Sequence, residues 1–319
     1  MAENYGLPYT GSKSKIAHWV IDNLPRGRVL IDAFAGGCAI THRALLIQKW
    51  QTVIANDING KYPQLFADAV RGKYRDEKRW ISREDFERLK EKDAFVACCW
   101  SFGNNLRDYM YSKDIEPYKR ALHYAIVLDD FAPMQELMPE VSQAVASELH
   151  GQNNLHDRRI TAQNVIVKTL KRLTECGVAG DILERLRGLE RLQSMERLER
   201  LQSLQSLERL ERLQSLQSLQ SLRVTSLSYD EIDIPDDAVV YCDPPYHDRD
   251  KKLYECTARF DRCAFYDWCV RVSKTNPIFI SEYSIEDDRF EVVAEKQKMT
   301  CLSALKSFNV TERLYTVKH

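Results

Sequence analysis

The sequence predicts an α/β fold, in which short apolar strands of an open sheet alternate with helices packed on both faces. Three apolar runs, Val29–Ile31, Thr52–Ala55 and Ala238–Cys242, each predict a buried strand, and an acidic residue follows each of them closely. A continuous apolar run is typical of a strand that is covered on both faces of a parallel sheet. The first two runs are about one strand–helix–strand unit apart, which supports the same fold class.

A turn of small residues, Ala33–Gly37, follows the first strand and leads into a helix through Arg43–Leu46. Glycines at this position let the backbone approach a bound ligand closely. The turn lacks the Gly-x-Gly-x-x-Gly and Gly-Lys-Ser/Thr patterns of phosphate loops, so it suits a nucleoside-type ligand without a pyrophosphate. Asp57 ends the second strand, where an acid in an open α/β sheet can bind ribose hydroxyls.

The segment Asp243–Tyr246 predicts a turn with a distinctive set of hydrogen-bond acceptors. Two consecutive prolines neither continue a helix nor donate to a sheet, so the chain turns where the third strand ends. The Asp243 carboxylate and the Pro244 carbonyl can each accept one N–H, and the Tyr246 ring can cover the flat face of a base. Together with Pro245 these residues suit an exocyclic amine; the alternative is an ordinary proline-rich turn.

The composition limits the class of protein. The chain has 319 residues, a formal net charge of −1 and nine scattered cysteines. Paired Cys-x-x-Cys motifs are absent from it, so we expect no metal site. No apolar run approaches the roughly 20 residues of a membrane span, and the N-terminus does not resemble a secretory signal. We therefore expect a cytoplasmic protein without membrane contact, in which any nucleic-acid surface is a local basic cluster.

The N-terminal segment predicts a polar turn, Pro8–Lys13, and then a helix through Ile16–Ile21. Ser12 or Ser14 could cap this helix. A helix start that carries Lys13 favours an anion such as a carboxylate, although a solvated helix start has the same composition.

The order of these motifs resembles the Dam-type DNA N6-adenine methyltransferases. The segments that carry the resemblance are Pro8–Lys13, Asp32–Gly37, Asn56–Asp57, Asp243–Tyr246 and two closing strands at Ile278–Tyr283 and Thr311–Tyr315. The resemblance covers residues 5–75 and about 225–319. It implies a Rossmann-like methyltransferase sheet, formed by residues 1–75 and 224–319, with a mainly helical target-recognition region inserted at residues 76–182. A leucine repeat segment at residues 183–223 lies between the target-recognition region and the second part of the sheet.

The resemblance also implies roles for individual residues. The cofactor would be S-adenosylmethionine, with its methionine carboxylate held by Lys13 and neighbouring residues and its ribose held by Asp57. The target adenine would be held by Asp243–Tyr246. The residues implied at the cofactor site are Tyr9, Lys13, Asp32, Phe34, Ala35, Gly36, Asp57, Ser228 and Tyr229.

Two positions depart from the family pattern. Gly36–Gly37–Cys38 stands where Gly-x-Gly is frequent. Ser228 stands where an aspartate often precedes the aromatic residue, and Asp230 follows that residue instead. The second departure affects the contact with the adenine of the cofactor, which that aspartate makes in the family.

Two segments combine basic, amide and aromatic residues and are candidates for contact with double-stranded DNA. Residues 79–131 have helical spacing, with Ser82 as a cap, and residues 151–173 form the strongest local basic patch. Lysines bind phosphates, and Arg or Asn side chains read base edges. The candidates are Asn104, Asn105, Arg107, Tyr109, Lys113, Lys119, Arg158 and Arg159. An interdomain loop and solvated helix faces would have similar composition, and position within the family's recognition region favours DNA.

From Leu183 to Leu222 every third residue is leucine, except Met195. An α-helix turns by about 100° per residue, so leucines three apart shift by about 60° along the helix surface. A straight helix therefore cannot bury them all on one face, and the period differs from the 3.5 residues of a coiled coil. Three structures remain possible: a long or broken helix, a solenoid-like coil, or an insert with little fixed structure. The segment could be a spacer or a recognition surface.

The expected function is transfer of a methyl group from S-adenosylmethionine to the N6 amine of adenine in a specific DNA sequence, by base flipping and direct attack. One alternative is N4-cytosine methylation of DNA, which uses the same amine geometry. A further enzymatic alternative is methylation of RNA or of a protein amide. A different class of alternative is a DNA-binding or interaction protein that has lost catalysis. A restriction-modification system, a phage and an orphan regulatory enzyme are equally consistent contexts.

Overall fold

The computed structural model describes residues 5–175, 202–213, 216, 221–245, 260–303 and 306–318, and the chain divides into two compact units. The first, which we call the sheet unit, comprises Met1–Gly72 and Leu213–His319. The second, which we call the helical unit, comprises Lys73–Arg212. The helical unit is thus an insertion in the chain of the sheet unit.

Strands of the sheet unit form one mixed sheet. The strands are β1 (Val29–Asp32), β2 (Thr52–Asn56), β3 (Leu222–Thr225), β4 (Ala238–Cys242), β5 (Ile278–Glu282), β6 (Phe290–Ser303) and β7 (Lys306–Val317). Within the described residues their order is β3-β2-β1-β4-β5-β7-β6. Strands β1 to β5 pair in parallel, whereas β7 is antiparallel to both β5 and β6. The α/β prediction is confirmed.

Helices occur in both units. They are α1 (Ala17–Asn23), α2 (Ala39–Ile47), α3 (Lys61–Val70), α4 (Arg83–Leu89), α5 (Ala94–Trp100), α6 (Glu116–Val127), α7 (Ala132–Leu137), α8 (Pro139–Leu149), α9 (Leu155–Glu175), α10 (Gln202–Leu213) and α11 (Arg262–Val272). Helices α4 to α9 and all but the last residue of α10 lie in the helical unit. Ser82 caps α4 as predicted, since its hydroxyl accepts a hydrogen bond from the backbone N–H of Asp85.

The strand order has a topological switch point between β1 and β4. From β1 the chain builds β2 and β3 to one side, and from β4 it builds β5 to the other. Ligands of open α/β sheets bind at such a switch point, outside the carboxyl ends of the strands. Strands β1 and β4 are fully buried, in agreement with their uninterrupted apolar sequences.

The described part of the leucine repeat includes the helix α10. Leu204, Leu207, Leu210 and Leu213 are all buried in it. Four leucines spaced three apart span about half of the helix circumference. Because all four are buried, neighbouring residues must cover about half of the surface of this short helix. The remaining leucine positions, except Leu216 and Leu222, lie outside the described residues.

Asn56 holds together the carboxyl ends of three neighbouring strands. Its side-chain amide donates to the carbonyls of Ala33 and Leu227, each at 3.0 Å. Its oxygen accepts from the Thr225 hydroxyl at 2.8 Å and from the Leu227 amide at 3.0 Å. The residue is buried, so these four hydrogen bonds fix the loops that follow β1, β2 and β3 without help from solvent.

We expect Asn56→Asp to lower the free energy of unfolding by about 3 kcal/mol, because two carbonyls lose their donor and face a buried carboxylate. Chemical denaturation monitored by circular dichroism measures the change. Asn59→Asp is the matched control, since Asn59 is exposed in the same loop. Equal stability of the two variants would contradict this role of Asn56.

Candidate active site

The carboxyl edge of the sheet carries four acidic side chains from four different strands. Asp32 ends β1, Asp57 follows β2, Asp243 follows β4 and Glu282 ends β5. Because these strands are parallel, their carboxyl ends lie at one edge, and the sheet order brings the acids around the switch point. Such a concentration of negative charge requires cations or bound protons to be stable.

A buried lysine from the N-terminal turn supplies one of these cations. Lys13 lies in a short 3₁₀ turn, Lys13–Lys15, which Ser12 caps through its hydroxyl. Its ammonium group donates to both carboxylate oxygens of Asp243, at 2.6 and 2.7 Å, and lies 3.9 Å from Glu312 on β7. Burial lowers the pKa of Lys13, but Asp243 and Glu312 together raise it above its ordinary value. Lys13 therefore stays charged beside Asp243.

An arginine holds the far end of the proline turn. Arg262, the first residue of α11, donates through Nη2 to the Pro245 carbonyl at 2.5 Å and through Nη1 to Glu282 at 3.1 Å. Burial raises the pKa of Glu282 to about 7, against the opposing effects of the Tyr283 amide and Arg262. Tyr246 lies outside the described residues.

Asp32 joins the end of β1 to the start of α2. One of its carboxylate oxygens accepts from the Thr41 amide at 3.2 Å and from the Thr41 hydroxyl at 2.7 Å. Burial raises the pKa of Asp32 to about 7, although the bonds from Thr41 oppose this shift. These contacts give Asp32 a structural function in the first turn of α2, and its proposed part in cofactor binding stays a prediction.

Asp57 shapes the glycine turn that follows β1. Its carboxylate accepts from the Gly36 amide at 2.9 Å and from the Asn59 amide at 2.8 Å. Burial raises the pKa of Asp57, and these two amides oppose the rise. Gly36 has φ +46°, a conformation that suits glycine, and the Ala35 amide bonds to the Asn56 carbonyl. The predicted ribose acid and the predicted glycine turn are thus in direct contact.

Tyr9 packs tightly against the same turn. A Cβ at Gly37 would lie only 2.6 Å from the Tyr9 Cβ, so no larger residue fits there. The Tyr9 ring also meets the Tyr62 ring edge-on, with centroids 5.1 Å apart. Tyr9 therefore lies at the predicted cofactor loop, where it supports the backbone of the turn.

Aromatic rings line the other side of the first loop. Phe34 stacks on Tyr229, with centroids 5.8 Å apart and an interplanar angle of 27°. Ser228 opens the 3₁₀ turn Tyr229–Glu231, and its hydroxyl donates to Asp230. The structure thus brings together Phe34 and Tyr229, two residues that the family resemblance implied.

Sequence reasoning missed two exposed apolar residues at this edge. Ile58 follows Asp57 and is 67% exposed, and Leu227 follows β3 and is 37% exposed. The two loops are linked, since the Ser226 hydroxyl donates to the Ile58 carbonyl at 3.4 Å. An apolar residue directly after an acid at a strand end was the signal that could have identified Ile58.

The predicted DNA-contacting loop is a compact structure within the helical unit. Ser101 and Tyr109 form an isolated antiparallel bridge, and the Phe102 amide bonds to the Asp108 carbonyl at 2.7 Å. The Asn104 side chain donates to the Cys98 carbonyl at 3.1 Å, and Asn105 donates to Asp108 at 2.8 Å.

Among the predicted DNA contacts, solvent reaches Arg107, Lys113 and part of Asn104 and Asn105. Arg107 pairs with the neighbouring Asp108 at 3.0 Å, and both side chains are exposed. Lys113 is also exposed, and Asn105 is half-buried. A surface ion pair such as Arg107–Asp108 is weak, so the guanidinium can exchange its partner for a phosphate.

Four other predicted DNA contacts are buried instead. Tyr109 donates through its hydroxyl to the Ile81 carbonyl at 2.8 Å, and Lys119 is 2% exposed, with its ammonium group over the Tyr111 ring. In place of the base and phosphate contacts expected from their sequence, these side chains stabilise the interior of the helical unit.

Arg158 and Arg159 are the remaining two. Arg158 donates to carbonyls at the ends of α6 and α8, and also to Asp129; the carbonyls are those of Ala125, Ile126, Leu149 and Gln152. Arg159 forms a buried ion pair with Glu208 of the repeat helix α10. Helix carbonyls are favourable partners for a cation. These two arginines thus connect helices within the helical unit. Because their guanidinium groups bind carbonyls and carboxylates, this arrangement does not provide the expected phosphate contacts.

Two further observations concern metal binding and membrane-spanning helices. Across the described ranges, no group of three or more His, Cys, Asp or Glu side chains is arranged to hold a metal ion. No helix in the same ranges has the length and apolar character needed to cross a membrane.

Comparison with known proteins finds a family match over part of the chain. Residues 9–134 match the model of the D12 class N6 adenine-specific DNA methyltransferases. The matched region begins at Tyr9, includes Lys13 and Asp57, and ends before Asp243. No curated protein matches the chain. The match confirms the resemblance inferred from the order of the motifs and favours adenine over cytosine, and the seven-stranded sheet of the described residues is consistent with a methyltransferase fold.

The raised pKa of Asp32 predicts a specific pH dependence of stability. The folded state binds this proton more tightly than the unfolded state, so its stabilising contribution is complete below about pH 4 and is lost as the pH rises through about 7. Asp32→Asn should retain an acceptor for Thr41 without this loss. Relative to the wild type it should gain about 2 kcal/mol in unfolding free energy between pH 5 and 8.

Urea denaturation at both pH values measures this difference. Asp236→Asn, at an exposed position before β4, is the control and should follow the wild type. Parallel pH profiles for Asp32→Asn and the wild type would show that Asp32 ionises without cost in the folded protein.

Proposed function

We propose that this chain, which carries a D12 class N6 adenine-specific DNA methyltransferase domain, transfers a methyl group from S-adenosylmethionine to the N6 amine of adenine in a specific double-stranded DNA sequence. The observation that carries the proposal is the position of Asp243. It follows β4 at the switch point of the sheet, is paired with Lys13, and shares the carboxyl edge with Asp57 and its glycine turn. This is the crevice where an open α/β sheet binds its ligands.

Asp243 and the Pro244 carbonyl would activate the amine. The N6 lone pair is delocalised into the purine ring, so the amine is a poor nucleophile. When both of its hydrogens are bound by acceptors, a more tetrahedral nitrogen with a directed lone pair is favoured. A carboxylate has about four acceptor positions, so Asp243 can bind the amine while Lys13 occupies others. Direct attack then needs no covalent enzyme intermediate.

Lys13 would keep Asp243 in its acceptor form. A protonated carboxyl group can donate but accepts less well, and the charge of Asp243 itself raises the pKa of the neighbouring acids Asp32 and Glu282. The buried ammonium group at 2.6 Å offsets this charge. We also propose that Lys13 holds the methionine carboxylate of S-adenosylmethionine, as the family resemblance implies.

The residues around the glycine turn fit S-adenosylmethionine, which methyltransferases of this family generally use and which supplies the methyl group. Asp57 offers a carboxylate for ribose hydroxyls, and Gly36 allows close approach of the backbone. Ile58 and Leu227 offer exposed apolar surface for the adenine ring of the cofactor. The remaining residues proposed at this site are Tyr9, Asp32, Phe34, Ala35, Ser228 and Tyr229.

The target base must leave the duplex for this reaction. The N6 amine cannot be approached along its lone pair while the adenine is stacked and paired, so we propose that the base is flipped towards Asp243. Tyr246 would then stack on the flipped ring. Buried thiols such as Cys242 and Cys269 suit a reducing compartment, and we place the reaction in the cytoplasm.

Contacts with DNA outside the target base would come from the exposed part of the helical unit. Solvent reaches the guanidinium group of Arg107 and the ammonium group of Lys113, and it partly reaches the amides of Asn104 and Asn105. This surface does not include Tyr109, Lys119, Arg158 and Arg159. Their polar groups already interact with other groups of the helical unit.

Asp243→Ala should lower methyl transfer to adenine by roughly 10²–10³-fold or more, because it removes an acceptor aimed at the reacting amine. Binding of S-adenosylmethionine should persist. Transfer of labelled methyl groups to unmethylated DNA, with calorimetry for cofactor binding, measures both quantities.

Asp236→Ala, at the opposite end of β4, is the matched control and should keep full activity. Asp243→Asn serves as a second variant in case loss of the carboxylate beside buried Lys13 unfolds the protein, and its melting temperature shows whether it is folded. Full transfer by a folded Asp243 variant would reject the proposal, and so would methylation of cytosine alone.

Arg107→Ala and Lys113→Ala should each weaken DNA binding. Each should also reduce the slope of log affinity against log salt concentration by about one for each phosphate that the removed side chain bound. Fluorescence anisotropy at several salt concentrations measures the slope. Lys92→Ala, an exposed lysine of the same unit, is the control. Slopes identical to that of the wild type would exclude this surface.

A further inference from the structure

The proline turn after β4 poses a positioning problem. Pro244 and Pro245 have no backbone N–H, so neither residue can be held through an amide hydrogen bond. Their carbonyl groups remain as points of attachment. Yet the proposed reaction needs the Pro244 carbonyl and Asp243 to keep a fixed direction, since small displacements of a catalytic group cost much of the rate.

One guanidinium group is attached to this turn from outside. Arg262 begins α11 and lies 17 residues after Pro245 in the sequence. Its Nη2 donates to the Pro245 carbonyl at 2.5 Å, and its Nη1 donates to Glu282 Oε2 at 3.1 Å. Glu282 is buried at the end of β5, and its other oxygen accepts from the Tyr283 amide at 2.9 Å. The guanidinium therefore connects the turn to the rigid end of a sheet strand.

The covalent structure of the turn transmits this restraint to the reacting group. Between the Pro244 carbonyl and the Pro245 carbonyl lie a planar peptide bond, the ring-locked φ of Pro245 and its ψ. Only ψ is free to rotate. A hydrogen bond that fixes the Pro245 carbonyl therefore also restrains the direction of the Pro244 carbonyl, which is proposed to accept from the target amine.

We propose that Arg262 is a positioning residue for methyl transfer, which holds the Pro245 carbonyl so that Asp243 and the Pro244 carbonyl face the target amine. Glu282 orients the guanidinium and anchors it to β5. The inference rests on the proposed function and deepens it. A lysine could not replace this arginine fully, because one ammonium group lacks the planar fork that reaches two partners in fixed directions.

A mutational series tests this role. Arg262→Ala should lower kcat by about 10- to 100-fold, because the acceptors are present but no longer held in place. Affinity for S-adenosylmethionine should remain that of the wild type. Arg262→Lys should retain an intermediate kcat, and guanidinium ion, added well below denaturing concentrations, should restore part of the kcat of Arg262→Ala.

Arg289→Ala is the matched control, because Arg289 is also ion-paired, to Asp267 and Asp287, but is exposed and far along the chain from the turn. It should keep the wild-type kcat. Melting temperatures of all variants separate loss of position from loss of fold. Chemical rescue and a fall in kcat without a fall in cofactor affinity are results that a merely structural arginine would not produce.

The role is overturned if Arg262→Ala keeps the wild-type kcat while Asp243→Ala is inactive; in that case the proposed function stands. It is also overturned if Arg262→Ala loses activity only in proportion to its unfolded fraction, with no rescue by guanidinium. A wild-type protein that transfers no methyl group to adenine overturns the proposed function itself, and the positioning role with it.

Discussion

The ion pair between Lys13 and Asp243 is the interaction on which the site depends. It joins residues 230 positions apart in the sequence and ties the N-terminal turn to the end of β4. Both charges are largely removed from water, and such a pair is stable only when each charge has its partner. Loss of either member removes the nearest partner of the other's charge, although Lys13 keeps the more distant Glu312 at 3.9 Å. The pair therefore links the folding of the N-terminal turn to the acceptor form of the carboxylate.

The other acids of the carboxyl edge are less fully compensated for their burial. Burial raises the pKa of Asp32 to about 7, although two bonds from Thr41 oppose it. The pKa of Glu282 also rises to about 7, even with Arg262 at 3.1 Å. The edge thus balances its negative charge in two ways, through the cations Lys13 and Arg262 and through bound protons.

Much of this arrangement could be predicted from the sequence, because strands and their terminal acids have a local signature. Uninterrupted apolar runs located β1, β2 and β4, and the glycine turn and Asp57 proved to be in contact. Local signatures do not show which charges are buried. Arg158 and Arg159 looked like a phosphate-binding patch, whereas α9 is covered on the side that carries them. Arg262 had no signal, since its partners come from a turn and a strand elsewhere in the chain.

The position of the insertion explains how the sheet unit can accommodate so large a helical unit. Strands β2 and β3 pair in parallel, so a crossover must connect them, and the helical unit lies within this crossover. Asn56 fastens β2 directly to the loop after β3 and to the loop after β1. Every contact described around Asp243 and Asp57 comes from residues before Gly72 or after Leu213. Among the described residues, the contacts at Asp243 and Asp57 are therefore built from the two chain segments of the sheet unit that flank the insertion.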